Sequence, residues 1–326
     1  MRRRDFLAIL ASTASSPIAA RAQPSAMPVV GFFSSASPVG WDNYLAAFRS
    51  GLSSLGFVEG KNIAIEYRWA DGNYGRLPAL AAELANLRVA VIVASGGTAP
   101  AVAAKAASSV IPIVFTGVPN PVEFGLVASL NRPAGNLTGV SVLTTEVLPK
   151  RFELLSALVP KVDKFGLLAN PANATYAAEV DVARSAIAAR AKSSALVEAS
   201  SERDIEPAFD SLVKAGCGAL ILTTDAFFNN HRDAIIALAD RHRIPTMYGW
   251  PEFPRAGGMA SYGPDLSEQY RLSGIFVGRI LKGEKPLDLP VMQPTKFNFV
   301  LNLKTMKALN IEAPANILAL ADEVIE

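Results

Sequence analysis

The sequence predicts an α/β protein built as two doubly wound lobes, each a parallel sheet covered by helices on both faces. Three observations predict it. Short apolar runs alternate with segments of helical period, the pattern of strands buried by crossover helices. That alternation runs through four strands, stops, and begins again in the same order. The 326 residues, 50% hydrophobic and 18% charged, are enough chain for about two domains and too apolar to remain disordered.

In the first half Val29, Val30, Phe32 and Phe33 make a buried strand. Leu45, Phe48, Leu52 and Leu55 recur at helical spacing, and Gly56 ends that helix. Ile63, Ile65 and Tyr67 alternate along a second strand. Leu77, Leu80, Leu84 and Leu87 give a second helix with Pro78 in its first turn. Residues 89–94 read as a third strand, Thr98 opens an alanine-rich helix, and residues 111–115 form the fourth strand. The second half repeats this with strands at 165–169, 195–199, 219–223 and 244–248 and helices at 176–191, 204–215 and 233–242. Even the fourth strands correspond, Ile111-Pro112-Ile113 against Ile244-Pro245-Thr246. The tail adds a strand at 259–262, a helix at 265–281 with Leu272, Ile275, Phe276 and Ile280 inward, a strand at 297–302 and a helix through Leu309. The expected division is residues 27–143 with 259–287 in lobe 1, and 144–258 with 288–326 in lobe 2. Three crossovers, near 142–146, 257–259 and 289–294, would serve as hinges, the stretch 131–149 holding the first.

Residues 1–22 read as an export signal. Arg2, Arg3 and Arg4 precede an uncharged segment from Phe6 to Ala20, and Ala20-Arg21-Ala22 is an A-x-A pattern that predicts cleavage after Ala22. Arg3-Arg4-Asp5-Phe6-Leu7 fits the twin-arginine pattern, a general secretory signal being the alternative. No cysteine follows, so a lipid anchor is not expected, and the product would be free in a periplasm. The whole chain carries +2, but the segment holds four Arg and one Asp, which leaves the remainder at −1. A near-neutral chain argues against nucleic acid as a partner. No run reaches the ~18–20 apolar residues of a membrane span. The lone Cys217 excludes an internal disulfide, and two histidines, His231 and His242, leave no His-rich metal centre. Neither a metal nor a cofactor is expected.

Ligands of open parallel sheets meet the loops at the carboxyl ends of the strands. Those loops offer Ser34, Ser35, Ser95, Gly96, Thr98, Thr116 and Asn120 from the first half. The second half offers Asn170, Asp225 and Tyr248. Small hydroxyl and amide groups dominate, which suits a small polar ligand. Residues 95–98 present backbone N–H groups at a helix start, where an anion such as a carboxylate is favoured. Thr98 reads equally as the N-cap of its own helix. Asp225 reads either as a partner for a ligand ammonium or as a turn or cap residue. Tyr248 and Trp250 read either as stacking surfaces for a ligand or as packing.

Catalytic signatures are missing. Residues 31–36 are not G-x-G-x-x-G, Gly283-Glu284-Lys285 is not a P-loop, and no G-x-S-x-G elbow occurs. A periplasmic hydrolase would need a nucleophile–base pair that the sequence does not supply, so no enzyme is expected.

The chain resembles the family of ABC-transporter substrate-binding proteins that includes tryptophan- and phenylalanine-binding members. The resemblance spans almost the whole chain after the signal. It is carried by residues 120–127 and 132–139, by Leu168-Ala169-Asn170-Pro171, by 253–263, and by 280–291 with 293–297. It implies a periplasmic binding protein of type I, with two lobes and three crossovers, that captures an amino acid or related carboxylate between its lobes. Its partners would be that small molecule and an inner-membrane permease, reached as a monomer; a sensor feeding a signalling receptor is the alternative. The family usually carries Asp before the Pro-Val of the first string, whereas this chain has Asn120.

Overall fold

The computed structural model describes residues 27–326; the expected export signal lies outside the described residues. The first sheet has five parallel strands: β1 (Val29–Ser34), β2 (Ala64–Trp69), β3 (Val91–Ser95), β4 (Ile113–Val118) and β5 (Leu137–Ser141), in the order β2-β1-β3-β4-β5. The second has seven: β6 (Lys164–Ala169), β7 (Ser193–Glu198), β8 (Ala219–Leu222), β9 (Thr246–Tyr248), β10 (Ala260–Pro264), β11 (Phe297–Asn302) and β12 (Glu323–Ile325), in the order β12-β11-β10-β9-β8-β6-β7. Strands β7-β6-β8-β9-β10 thus repeat the winding of the first sheet. β11 then runs antiparallel to β10, and β12 runs parallel to β11.

The helices are α1 (Asp42–Ser53), α2 (Leu77–Asn86), α3 (Thr98–Ala107), α4 (Leu148–Leu158), α5 (Tyr176–Ala188), α6 (Glu202–Lys214), α7 (Ala226–Asn230), α8 (Arg232–Arg241), α9 (Glu252–Arg255), α10 (Leu266–Leu281), α11 (Leu303–Ala308) and α12 (Ala315–Leu318). Each strand turns alternate residues to opposite faces, so each sheet feeds two cores. In the first sheet Val30, Phe32, Val93 and Val114 pack under α1 and α10. Phe33, Ile92, Ala94 and Phe115 pack under α2 and α3 on the other face. In the second, Phe165, Leu167 and Ile221 meet α4 and α5, while Leu168, Leu220 and Leu222 meet α6 and α8. These strands are apolar throughout because both their faces are buried.

Two expected boundaries move. The strand expected in lobe 1 at 259–262 is β10, and it pairs with β9 and β11 in the second sheet. The four-residue α9 and Gly257, at φ +111°, turn the chain straight back beside β9, so the crossing comes only after Pro264. The end of lobe 1 expected at residue 287 also moves later, into the stretch 289–294 where the third crossover was expected. Met292 still bridges to Val140, and Val291 N–H donates to the Leu130 carbonyl. The sequence reading omitted β5, α4 and the short α7, α9, α12 and β12.

What returns to the first sheet is α10. It lies against α1 and over β3, β4 and β5. The two helix backbones approach so closely that a Cβ on Gly51 would stand 2.0 Å from the Arg271 carbonyl oxygen, and one on Gly274 2.1 Å from that of Phe48. Glycine costs a helix about 1 kcal/mol relative to alanine, and here it allows the contact. Gly274→Ala is expected to destabilise the protein by about 1–3 kcal/mol, the usual cost of overpacking, despite the gain in helix propensity. Urea denaturation checks it, and an unchanged or raised midpoint would refute the close-contact account.

Candidate functional site

The carboxyl ends of the two sheets face each other across one cavity, of about 710 Å³ with its mouth included. The first-sheet side is built by the turns after β3 and β4. Gly96 and Gly97, at φ +86° and +113°, carry the chain from β3 into α3 through backbone conformations that suit glycine. A Cβ on Gly96 would lie 2.4 Å from Ser35 Oγ. No side chain caps α3. Its first N–H groups therefore have no intrahelical partner, and Gly97, Thr98 and Ala99 line the cavity. Thr98 is 3% exposed, and its Oγ1 is buried without a hydrogen-bond partner. Thr116, Gly117 and Pro119 from the end of β4 continue this wall.

Aromatic rings close the cavity. Trp41 donates its indole N–H to the Tyr270 hydroxyl at 2.9 Å, and Tyr270 stacks on Tyr44 with ring centroids 5.3 Å apart. Trp41, Tyr74 and Tyr270 line it with Trp250 from the second-sheet side, and Val142 and Leu266 stand at two of the crossings.

The second-sheet side carries the charge. Asp225 caps α7 and is 6% exposed. Its Oδ1 accepts from Asn170 Nδ2 at 3.1 Å and from the Phe227 N–H at 2.7 Å. Its Oδ2 accepts from the Tyr74 hydroxyl at 2.8 Å and from Asn173 Nδ2 at 2.7 Å. Burial pushes this carboxyl up, against the pull of those bonds. Glu179, on α5, is 2% exposed. Its Oε1 accepts from Thr224 at 3.1 Å and lies 3.3 Å from the Thr175 hydroxyl, whose proton is shared with Asn173. Burial raises the Glu179 carboxyl to about 7, and the Arg151 guanidinium is the strongest opposing influence. Arg151, fully buried on α4, donates Nε–H to the Tyr262 carbonyl at 2.6 Å, and its Nη1 and Nη2 take no partner. Burial lowers Arg151 to about 10, with Glu179 opposing.

The two sides touch. Besides Tyr74 and Asp225, Ser37 N–H donates to Asn230 Oδ1 at 3.2 Å, Tyr44 hydrogen-bonds Glu252, and Ala226 joins the first-sheet core.

Of the residues singled out in the sequence, Gly96, Thr98, Thr116, Asp225 and Trp250 line the cavity. The others stand elsewhere. Ser34 and Ser35 are fully buried behind it, Ser35 donating to the Gly96 carbonyl at 2.6 Å. The Ser95 hydroxyl is engaged by Tyr270. Asn120 is exposed and bonds Glu123 at 2.8 Å, closing its own turn, so the departure from Asp there falls outside the cavity. Asn170 is held beneath Asp225, and Tyr248 is 1% exposed and stacked on Phe253. Sequence reasoning missed Trp41, Tyr74, Asn173, Thr175, Glu179, Asn229 and Tyr270. Glu179 sits one turn into a helix of ordinary composition, with no local signal. Among the described residues no three His, Cys, Asp or Glu side chains come together as a metal site would need, and no helix is long and apolar enough to cross a membrane.

This architecture is that of a type I periplasmic binding protein. A structure from Vibrio cholerae, described as a conserved domain protein, superimposes with TM-score 0.85 at 25% identity, covering 91% of this chain and 99% of that one. A Streptococcus pneumonia ABC domain in complex with L-Trp gives 0.84 at 21% identity over the same shares. The ligand-free, open structure of a Clostridium difficile substrate binding protein with adhesive properties gives 0.66 at 24% identity, again over 91% and 99%. The chain belongs to the ABC transporter substrate binding protein family, which it matches over residues 11–325. A curated relative, the tyrosine-binding protein of Clostridioides difficile, is 28% identical over 273 residues, 83% of this chain and 77% of that protein.

The raised Glu179 carboxyl sets a pH dependence of folding. A group that binds its proton more tightly folded than unfolded stabilises the fold below its unfolded value near 4.5 and loses that contribution as pH rises through about 7. Wild type should therefore lose stability relative to Glu179→Gln between pH 5 and 8, by roughly 3 kcal/mol at most. Urea titrations of both proteins at the two pH values read the slope, and parallel slopes would refute the assignment.

Proposed function

We propose that this protein is the substrate-binding component of an importer, exported to the periplasm, where it captures an amino acid or related carboxylate and delivers it to a membrane permease. The observation that carries this reading is the uncapped start of α3, with the unpartnered Thr98 hydroxyl beside it. A helix start of this kind attracts an anion, and the facing aromatic rings suit an apolar side chain. The tyrosine-binding relative supports the same ligand class.

In this reading the two sheets are the cores of two lobes that move about crossings near 142–147, 264–266 and 293–296. A ligand touching both lobes binds the closed arrangement better than the open one and shifts the population. The hydrogen bonds between Tyr74 and Asp225 and between Ser37 and Asn230 are contacts that opening would break. The better superposition on the L-Trp complex than on the open structure accords with closure.

A thermal-shift screen of the twenty amino acids is expected to give a positive shift with aromatic or branched members, by mass action on the folded state. Thr98→Val should weaken the hit by about tenfold or more, the usual worth of a hydrogen bond to a charged group, as read by isothermal titration. No shift with any amino acid or small carboxylate would refute the ligand class. Tyr74→Phe removes one bond made only on closure, so it should weaken binding several-fold. Small-angle scattering should show wild type compacting when the hit is added; equal affinity and no compaction would refute the closure mechanism.

A further inference from the structure

We infer that Glu179 is the counter-charge for a protonated amine on the ligand, so that the cavity selects zwitterions over simple carboxylates. This rests on the proposed reading of α3 as the carboxylate end. Two carboxylates line the cavity, and no Lys or Arg does. An ionised carboxylate has about four lone-pair sites. Asp225 uses all of them on Asn170, Phe227, Tyr74 and Asn173, so it has nothing left for a ligand cation. Glu179 makes its hydrogen bonds at Oε1, and among the described residues no donor engages Oε2. It is a buried acid on the cavity wall with one oxygen free.

The charge of Glu179 is set by what faces it. Arg151 lies behind it on α4, its guanidinium bonded to Tyr262 rather than to Glu179. Asp225 faces it from the β8–α7 loop, and Tyr74 from the turn after β2; Thr175 and Thr224 are neutral donors. The cavity is thus dipolar, with the positive end of α3 on one lobe and Glu179 on the other. A zwitterion spanning it would complete both ends at once. An anionic ligand without an amine would leave Glu179 facing it uncompensated, which a buried charge tolerates poorly.

Paired probes test this by isothermal titration: L-tyrosine with 3-(4-hydroxyphenyl)propionate, L-tryptophan with indole-3-propionate, and L-leucine with 4-methylpentanoate. Wild type is expected to prefer the amine-bearing member of a bound pair by about ten- to hundredfold. Glu179→Gln, nearly isosteric, should lose most of that preference, binding the amino acid more weakly and the desamino acid no less tightly than wild type does. Affinity of wild type for the amino acid should rise between pH 6 and 8 and stay flat in the variant. Should the variant fail to fold, the wild-type preference and its pH profile decide alone. Desamino acids binding as tightly as their partners would overturn the role of Glu179 and leave the carboxylate reading standing. A preference unchanged in Glu179→Gln would also overturn it. Binding by no member of any pair would overturn the amino-acid reading and this inference with it.

Discussion

The close packing of α10 on α1 is the contact on which the site depends. Helix α10 follows the strand β10 of the second sheet, yet it finishes the core of the first. To do so the chain must cross between sheets after Pro264 and cross again before β11, which makes three crossings with the one near residue 142. Gly51 and Gly274 let the helices meet at backbone distance, and Tyr270 is then brought under the end of β3. There it takes the Ser95 hydroxyl, while Ser273 takes that of Thr116 at 2.5 Å. One helix therefore closes a core, fixes the connection between the lobes and walls the cavity.

Much of this was legible and some was not, for physical reasons. Strands buried on both faces are written as apolar runs, so both windings could be read from residues such as Phe32, Val93, Leu167 and Ile221. Gly96 and Thr98 could be placed because a strand, a glycine turn and a helix start are adjacent in sequence. Ser34, Ser35 and Ser95 were placed by the same rule, but their hydroxyls are used on the Ala36 N–H, on the Gly96 carbonyl and on a helix some 175 residues away. Nothing local marks that return. Glu179 is the converse case: on a helix wheel it is one acid among others, and only the fold shows that it points inward. The crossing expected at residues 257–259 failed because a glycine turn reads alike whether the chain doubles back or departs.

The two acids of the cavity show how similar groups are made different by surroundings. Asp225 is spent on structure: it caps α7, orients Asn170 and Asn173, and meets Tyr74 across the lobes. Its four donors supply in the interior what water supplies outside, which is why a buried carboxylate there is tolerable. Glu179 has fewer donors and compensates with a nearby cation. Arg151 is itself costly, fully buried with two nitrogens lacking partners, and it packs closely against Gly249. A Cβ at Gly249 would stand 3.0 Å from its Nη2, and one at Gly263 3.4 Å.

That expense points to what the pair does. Two apolar residues of the same volume would pack this region at least as stably, since a buried pair of charges seldom recovers its desolvation. A guanidinium placed behind Glu179, not bonded to it, leaves Oε2 free while opposing the rise that burial imposes on the carboxyl. Bound directly, Arg151 would consume the oxygen; removed altogether, it would let burial raise the acid further. The intermediate placement keeps an available charge in a buried wall, where its interaction with an opposite charge is screened far less than at the surface. A group held in that condition is organised for a partner that arrives from outside the protein.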